Sequence, residues 1–439
     1  MPSSAGHLVA GKKVYIVGAG LGGVAFGLSL LKLCEEHSIK PLPEVHLFER
    51  DSSEDTQTGH GYSLAVRSDS GGLQVLQQLG VLEDLLPYEE PGKYAGFLTP
   101  GFSTLASFSA SPCAGREASK LMGAKLRISR ATLRTKLLEH FPRSSITYGK
   151  ACAAVNVLTD GEGPPVRITF QDGSSQACDI LVAADGIHSK ARASILPLEK
   201  PKYTGVMMFA GRSDVMDPLP RPTGEGQWMV PAPTGTFLFV SPLEQHRVHW
   251  SVSWQAPLPL AAQLNVKLKD PSTAQEVLDL VTSKAAPFGE PFPTLFRNTA
   301  MSGLYATPLM EKLPHPNTAP VICIGDCLHP MTPFSGNGAN MAFCDAWQLA
   351  QQLMDPSHAT LDEAVIAFDA EAGPRSTQAL SRGTHLMSLC HQQGIRHWLI
   401  RGLICIVRVI MGASSFGDTV KLWRFLGRLF GAHKNAEKL

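Results

Sequence analysis

The sequence carries almost no net charge: 39 Lys and Arg stand against 38 Asp and Glu, a formal +1. It therefore has no overall field to attract nucleic acid, and no basic, aromatic-interleaved segment of the RNA-binding kind. Long apolar runs are also missing. A membrane-spanning helix needs roughly 18 apolar residues in a row. The best candidate, HWLIRGLICIVRVIMGA at 397–413, is broken by Arg401 and Arg408. The first apolar run already reads as a strand, so no secretory signal is expected. Nine Cys, an odd number, are scattered from Cys34 to Cys405. That suits a reducing, cytoplasmic setting better than a disulfide framework. Cys-x-x-Cys pairs, internal repeats and low-complexity tracts are absent too. What the chain does have is length and apolar content. Its 439 residues, 44% hydrophobic, suffice for two interleaved or consecutive domains.

The N-terminal region reads as strand, turn and helix. Lys13-Val-Tyr-Ile-Val17 is short, apolar and β-branched, as buried parallel strands are. GAGLGG (18–23) follows. Gly18 suits a tight turn, Gly20 a close approach of backbone to a pyrophosphate, and Gly23 close helix–strand packing. The helix behind them offers free N–H groups and a positive dipole end. Glu49, closing the next strand, is the candidate acceptor for ribose hydroxyls. It lies 26 residues past Gly23, against the usual ~20, and the loop HSIKPLP (37–43) explains the excess. This is a dinucleotide-binding arrangement.

Two later strands end in similar fashion. DILVAADG (179–186) closes on Asp185-Gly186, with Ser189 and Arg192 beyond. VICIGD (321–326) closes on Gly325-Asp326 and runs into a loop holding Pro330, Pro333, Gly336 and Gly338 before a helix from about 339 to 354. A carboxylate at a strand's carboxyl end sits where α/β folds bind ligands. The glycines let the backbone approach a ligand, and the helix points its dipole into the loop. An anionic, planar group fits such a loop. Cys323, Cys327 and His329 in the same stretch invite a zinc reading. Zinc needs four ligands, or three and water. Cys323 lies within the apolar strand, and no second pair of ligands occurs elsewhere. No metal is expected, and the cysteines read as packing.

Elsewhere, KLRISRATLRTKLLEHF (125–141) reads as a helix, with Leu133, Leu137 and Leu138 at helical spacing. Residues 151–184 read as a β-meander with a hairpin at Asp172-Gly173. From 200 to about 306 the chain is rich in Pro and Gly, with strand-like runs at 235–241 and 246–254. The second run alternates Val248, Trp250, Val252 and Trp254 with Arg247, His249, Ser251 and Ser253. That pattern predicts a half-exposed antiparallel strand. Met207, Met208, Phe209, Phe237, Phe239, Trp250 and Trp254 are candidates for an apolar pocket or, at strand spacing, for core.

Taken in order, Gly18-x-Gly20-x-x-Gly23, Asp185-Gly186, and Gly325-Asp326 with its Pro/Gly/Asn loop resemble the group A flavoprotein monooxygenases. These are FAD-dependent hydroxylases related to para-hydroxybenzoate hydroxylase, and the resemblance covers about residues 13–355. It implies an α/β fold. A Rossmann-type FAD-binding domain, glutathione reductase-like in topology, would be interleaved with a mainly antiparallel β substrate domain and followed by C-terminal helices. The FAD-binding domain would comprise 1–94, 119–200 and 306–360. The substrate domain would comprise 95–118 and 201–305, and a helical segment 361–439.

The resemblance also assigns residues. Gly18, Gly20, Gly23 and Glu49 would hold the ADP half of FAD. Arg130, in an Arg-x-x-Leu helix start, and Gly61 would contact the cofactor. Asp185 and Asp326 would lie near the pyrophosphate, and Pro333, Gly336, Gly338 and Ala339 would flank the flavin ring. NAD(P)H would be a transient co-substrate without a domain of its own. Reduced flavin and O2 would then place one oxygen atom on a small, largely apolar or aromatic metabolite, by hydroxylation or epoxidation, in a setting such as secondary metabolism. One departure stands out. Relatives that hydroxylate phenols carry an Arg where YTGVMMFAGR (203–212) has Ala210. Arg212, two residues on, is the candidate catalytic substitute on the same strand face.

The alternative is a flavin-dependent reductase or dehydrogenase of the same fold. A flavin halogenase would need Trp-x-Trp-x-Ile-Pro, which Trp250-Ser-Val-Ser-Trp254 does not match. A Rab GDP-dissociation inhibitor would not need the intact Asp326 loop. The C-terminal stretch sets Arg396, Arg401, Arg408, Lys421, Arg424 and Arg428 against Asp418. Such a basic amphipathic segment can rest on a membrane surface. The plainer expectation is a helix packed on the FAD domain with a solvated basic face.

Overall fold

The computed structural model describes residues 7–54, 62–90, 92–109, 113, 123–158, 163–214, 218–243 and 246–411. Five parallel strands form one sheet, in the order Val321–Cys323, Ile180–Ala183, Lys13–Val17, Glu44–Phe48, Ile146–Thr147. Their side chains are apolar on both faces and merge into one core with the helices Leu21–Glu36 and Gly338–Met354, as a covered parallel sheet requires. The meander Cys152–Val157, Val166–Phe170, Ser175–Cys178 forms a separate three-stranded antiparallel sheet.

A second large sheet has seven strands. Its order is Tyr305–Glu311, Lys202–Ser213, Arg247–Gln255, Phe237–Leu243, Gly226–Pro231, Tyr94–Leu98, Thr104–Ser109. All neighbours are antiparallel except Gly226–Pro231 with Tyr94–Leu98. Three separated stretches of chain thus supply one sheet. It keeps Tyr305–Glu311, beyond the expected boundary at 305, because that strand pairs with Lys202–Ser213. The helices Leu258–Lys269, Ala274–Ala285 and Phe292–Arg297 cover one face. There Met207, Phe209, Trp250 and Trp254 pack with Val277, Val281 and Phe292. The result is the α/β architecture expected: a Rossmann-type domain interleaved with a mainly antiparallel β domain, with helices at the C-terminal end.

Two local expectations are corrected. The stretch 125–141 is not helical throughout: Lys125–Ser129 is a strand, paired antiparallel with Ser63–Arg67. Leu126 and Ile128 alternate into the core, and the ladder outweighs the helical spacing that begins further on. Ser129 ends the strand, and its hydroxyl accepts from the Thr132 N–H at 3.1 Å, capping the helix Arg130–Glu139. Among the described residues, the helix Gly394–Met411 packs on the seven-stranded sheet rather than, as expected, on the FAD domain. Its Ile400 and Ile404 lie against Phe97, Leu105 and Ala106 of the seven-stranded sheet. Lys421, Arg424, Arg428 and Asp418 fall outside the described residues. Among the described residues, no helix is long and apolar enough to cross a membrane.

Candidate active site

The three motifs, far apart in sequence, are neighbours in space. Strands Lys13–Val17, Ile180–Ala183 and Val321–Cys323 lie side by side and in parallel, so their carboxyl ends open on one crevice. Each chain turns just beyond its strand at a glycine with positive φ: Gly18 (102°), Gly186 (82°) and Gly325 (57°). A cavity of about 1030 Å³ begins there and extends to the uncovered face of the seven-stranded sheet. That is at the upper end of ordinary small-molecule sites.

The first wall is backbone. Gly20, Leu21 and Gly22 line it, with Gly186, Asp326 and the loop from Met331 to Ala339. Two helices begin on it, Leu21–Glu36 and Gly338–Met354, and neither has a side-chain N-cap. By contrast, Leu361–Cys390 has a full capping box from Thr360 and Glu363. Uncapped N-termini facing a cavity are anion sites. A Cβ on Gly20 would meet nothing within 4 Å, whereas one on Gly18 or Gly23 would collide with the carbonyl of Ala184 or Gly18. Gly18 and Gly23 thus serve the turn itself, and Gly20 leaves room beside it. This wall fits the diphosphate and ring of a dinucleotide.

Side chains behind the wall fix its shape. Glu49, 4% exposed, accepts the Ala19 N–H at 2.7 Å and the Asp51 N–H at 3.0 Å. Buried Arg134 donates its Nε–H to the Ala19 carbonyl at 2.7 Å. Asp185 accepts the N–H groups of Lys190 (2.9 Å) and Ala191 (3.3 Å). Arg192 donates to the carbonyls of Cys327 (2.6 Å) and Ile187 (2.8 Å), tying two of the loops together. Asn340 brackets Arg67 and Ala65.

His329, fully buried, lies 2.6 Å from Asp345, which also accepts from Arg375 (2.6 Å) and the Gly325 N–H (2.8 Å). Burial alone would lower the His329 pKa, but the Asp345 charge and hydrogen bond outweigh it and raise it. Burial would likewise raise the Asp345 pKa, and His329, Arg375 and Gly325 bring it below the usual range. Asp326 lines the cavity and is exposed to it, while protein packed behind it limits its hydration. Burial raises its pKa against the pull of His329 and Arg130.

The second wall is side chains. Met208, Gln227, Met229, Phe237 and Phe239 line it, with His249, Ser251, Ser253, Tyr305 and Thr307 from the seven-stranded sheet. The helix Leu361–Cys390 closes one side with Arg382, His385, Leu386 and Leu389. His249 is 6% exposed. Burial and then Arg127 push its pKa down to about 4, so it is neutral near pH 7. His391 donates from Nδ1 to the Met387 carbonyl at 2.7 Å. That fixes its tautomer and leaves Nε2 to accept the Ser253 hydroxyl at 2.9 Å.

Lys125 and Arg127 join this wall to the two-stranded ribbon. Lys125 donates to Gln227 Oε1 at 2.9 Å. Arg127 is paired with buried Glu90 at 3.1 Å and also donates to Ser63 and Ser241. Burial, then Arg127 and Arg67, bring the Lys125 pKa down to about 7, opposed by Glu89 and Asp69.

With this geometry in view, comparison with known proteins is decisive. Residues 12–382 match the family model described as an FAD binding domain. The monooxygenase cfoF of Aspergillus candidus is 30% identical over 400 residues, 88% of this chain and 93% of that protein. The chain belongs to the group A FAD-dependent monooxygenases. It is an oxidoreductase that uses FAD, NAD(P)H and O2. The 3-amino-4-hydroxybenzoate 2-monooxygenase of Streptomyces cremeus is 25% identical over 388 residues, 86% of this chain and 88% of that protein. The crystal structure of Klebsiella pneumoniae HpxO with FAD and uric acid superposes with a TM-score of 0.71 at 19% identity, covering 92% of this chain and 95% of that one. It shares the fold.

The monooxygenase's cavity brings together Gly20, Arg130, Asp326, Pro333, Gly336, Gly338 and Ala339. Gly18 and Gly23 stand behind it, and Gly61 lies outside the described residues. Three further expected site residues do not line the cavity. Asp185, between the lining residues Ala184 and Gly186, turns its carboxylate to the Lys190 and Ala191 amides. Glu49 does not line the cavity, because its carboxylate is occupied by the Ala19 and Asp51 amides. Arg212 does not line it either: it is half-buried opposite His249 near the end of its strand, past the last cavity residue of that strand, Met208. Of the apolar pocket candidates, Met208, Phe237 and Phe239 face the cavity. Met207, Phe209, Trp250 and Trp254 belong to the core on the other side.

The strand Arg247–Gln255 is not half-exposed; both faces are buried. Its polar face, read from the sequence as solvated, looks into the cavity. The alternation in HRVHWSVSW carried that signal, but alternation does not say whether the polar side meets water or a ligand. Lys125, Gln227 and Tyr305 were missed, and no motif marks them. Cys327 lies 3.2 Å from the Ser189 hydroxyl, and among the described residues no cluster could hold a metal ion.

Proposed function

We propose that this monooxygenase oxygenates a small aromatic metabolite seated between the backbone wall and the side-chain wall. The observation that carries the reading is the single cavity that joins the two. The uncapped helix N-termini at Gly20 and Gly338 are suited to the pyrophosphate and to negative charge on the reduced ring. Arg130 and Asp326 sit where they would fix the cofactor's polar parts, Asp185 holds its loop in place, and Pro333, Gly336, Gly338 and Ala339 flank the ring. FAD, when bound, supplies the electron transfer from NAD(P)H and the activation of O2.

The chain's own residues do the rest. Met208, Phe237 and Phe239 offer an apolar face to an aromatic ring and keep water from it. Neutral His249, with Ser251 and Ser253, supplies hydrogen-bond partners that orient polar substituents. The Streptomyces relative, which acts on a hydroxybenzoate by name, supports an aromatic substrate over other apolar metabolites, and hydroxylation over epoxidation. A role in secondary metabolism agrees with this substrate class.

The test is FAD-loaded protein given NAD(P)H and a panel of hydroxy- and aminobenzoates. O2 uptake matched to NAD(P)H consumption, with a product heavier by one oxygen atom, is the expected result. Turnover that proceeds equally without O2 would instead establish the reductase or dehydrogenase alternative. We place the enzyme in the cytoplasm. Exposed Ile395, Trp398 and Leu399 beside Arg401 make the helix Gly394–Met411 the segment to watch in a vesicle co-sedimentation assay, where failure to pellet with anionic lipid would exclude membrane contact.

A further inference from the structure

The long helix Leu361–Cys390 faces the cavity with Ser381, Arg382, His385 and Leu386. A neighbouring stripe, Ala379, Leu380, Gly383 and Met387, is buried. Gly383 stands out in that stripe, because glycine is poorly suited to a helix interior. A Cβ there would lie 2.9 Å from the Cβ of Ser335, 3.1 Å from its N and 3.3 Å from its Cα. These atoms belong to the backbone of the loop from Met331 to Ala339, or hang directly from it. They cannot swing aside as the tip of a long side chain does. Only glycine lets the helix lie on the loop at this distance. The helix is also tied to both halves of the protein. Before Gly383, Arg375 donates to Asp345 at 2.6 Å, and Asp345 accepts the Gly325 N–H. Just after it, Thr384 donates to Glu311 Oε2 at 2.8 Å, on the strand Tyr305–Glu311 of the seven-stranded sheet. Further on, Met387 packs with Phe334 of the loop and with Val206 and Leu309 of that sheet. The sheet thus fixes the helix, and the loop rests on the helix.

We infer that Gly383 is a positioning residue: by seating the helix on Ser335, it sets where the ring-flanking loop stands against the side-chain wall. The inference rests on the reading of Pro333–Ala339 as the flank of the flavin ring. A side chain at 383 would force the loop to give by a few tenths of an ångström. Preorganised N–H donors are worth most where negative charge develops, and they lose that worth when displaced. Reduced FAD, which carries the charge, would therefore suffer more than oxidised FAD.

The experiment uses the full chain and three measurements: FAD affinity by flavin fluorescence, the reduction potential of the bound flavin against a reference dye, and thermal melts without FAD. G383A is expected to melt no lower than wild type, because alanine is the better helix former. It should bind oxidised FAD about tenfold more weakly. It should bind reduced FAD a further ~threefold more weakly, read as a lower potential. S335G removes the nearest colliding atom, so in that background G383A should have roughly half its effect or less. S335A removes only the hydroxyl, and there G383A should keep its full effect. G336A disturbs the loop without the helix, since Gly336 has a φ of 58° and no atom closer than 4.0 Å to an added Cβ. It should also shift the potential. The proposal is overturned if G383A binds and reduces FAD as wild type does, or if it melts lower, which would make its role merely structural. It is overturned as well if S335A rescues as fully as S335G. A potential shift in G336A but not in G383A would overturn the proposal and leave the reading of the loop standing. No shift in either would overturn both.

Discussion

The two walls of the cavity are made of different material. The cofactor side is backbone: three strand ends turning at glycines, and two helices that start without caps. The substrate side is side chains, set in rows on strands and held by buried polar pairs such as Arg127–Glu90 and Ser253–His391. A backbone wall tolerates almost no change in residue type at a few positions and is indifferent elsewhere. A side-chain wall can be altered one group at a time. The difference explains how one fold can keep a cofactor while its substrates vary.

The largest effect expected to break this contrast comes from the joint between the walls. Arg127→Met leaves Glu90 buried without its cation and should lower stability by about 3–5 kcal/mol. Urea unfolding of the FAD-free protein would measure it, and a loss below ~1 kcal/mol would mean the pair is relaxed by water. Next comes the glycine pair. Gly23→Ala should overpack the turn and destabilise the FAD-free protein by about 1–3 kcal/mol. Gly20→Ala has open space and should leave that stability unchanged while weakening FAD about tenfold or more. If both behaved alike, the division between turn-making and ligand-facing glycines would fail.

Lys125 gives a smaller, pH-dependent effect. Its folded pKa of about 7 lies below its ordinary 10.5. Between those values the unfolded chain binds a proton that the folded one lacks, so stability should rise with pH there. K125M should flatten that rise in thermal melts of the FAD-free protein. The smallest effect is Ser253→Ala, which should cost stability about 1 kcal/mol or less and leave FAD affinity as it was. A change in FAD binding would show that the second wall also supports the first.

Legibility in the sequence follows the same division. Gly18–Gly23, Asp185-Gly186 and the Gly325–Asn340 segment were readable because backbone geometry restricts which residues can stand there. Their meeting at three adjacent strand ends follows from parallel pairing. Met208, Phe237 and Phe239 were half-readable, since strand spacing separates two faces but does not say which is core. Lys125 and Gln227 were not readable, because they meet only when a ribbon and a distant sheet come together. Glu49 and Arg212 were expected on the strength of position; backbone amides take up the Glu49 carboxylate, and Arg212 stands further along its strand than the cavity reaches. The strand Lys125–Ser129 was hidden by the helical spacing of the leucines that follow it.

The seven-stranded sheet draws on three stretches of chain, at 94–109, 202–255 and 305–311, with strands of the parallel sheet between the first two in sequence and helices between the last two. The gene therefore offers no single point at which the two halves can be parted. Truncation at any one crossing would leave a sheet with an unpaired edge. Exchanging substrate preference with a relative by recombination would require several junctions placed together, so new specificity in this architecture is more accessible through point changes along the strands than through exchange of a module.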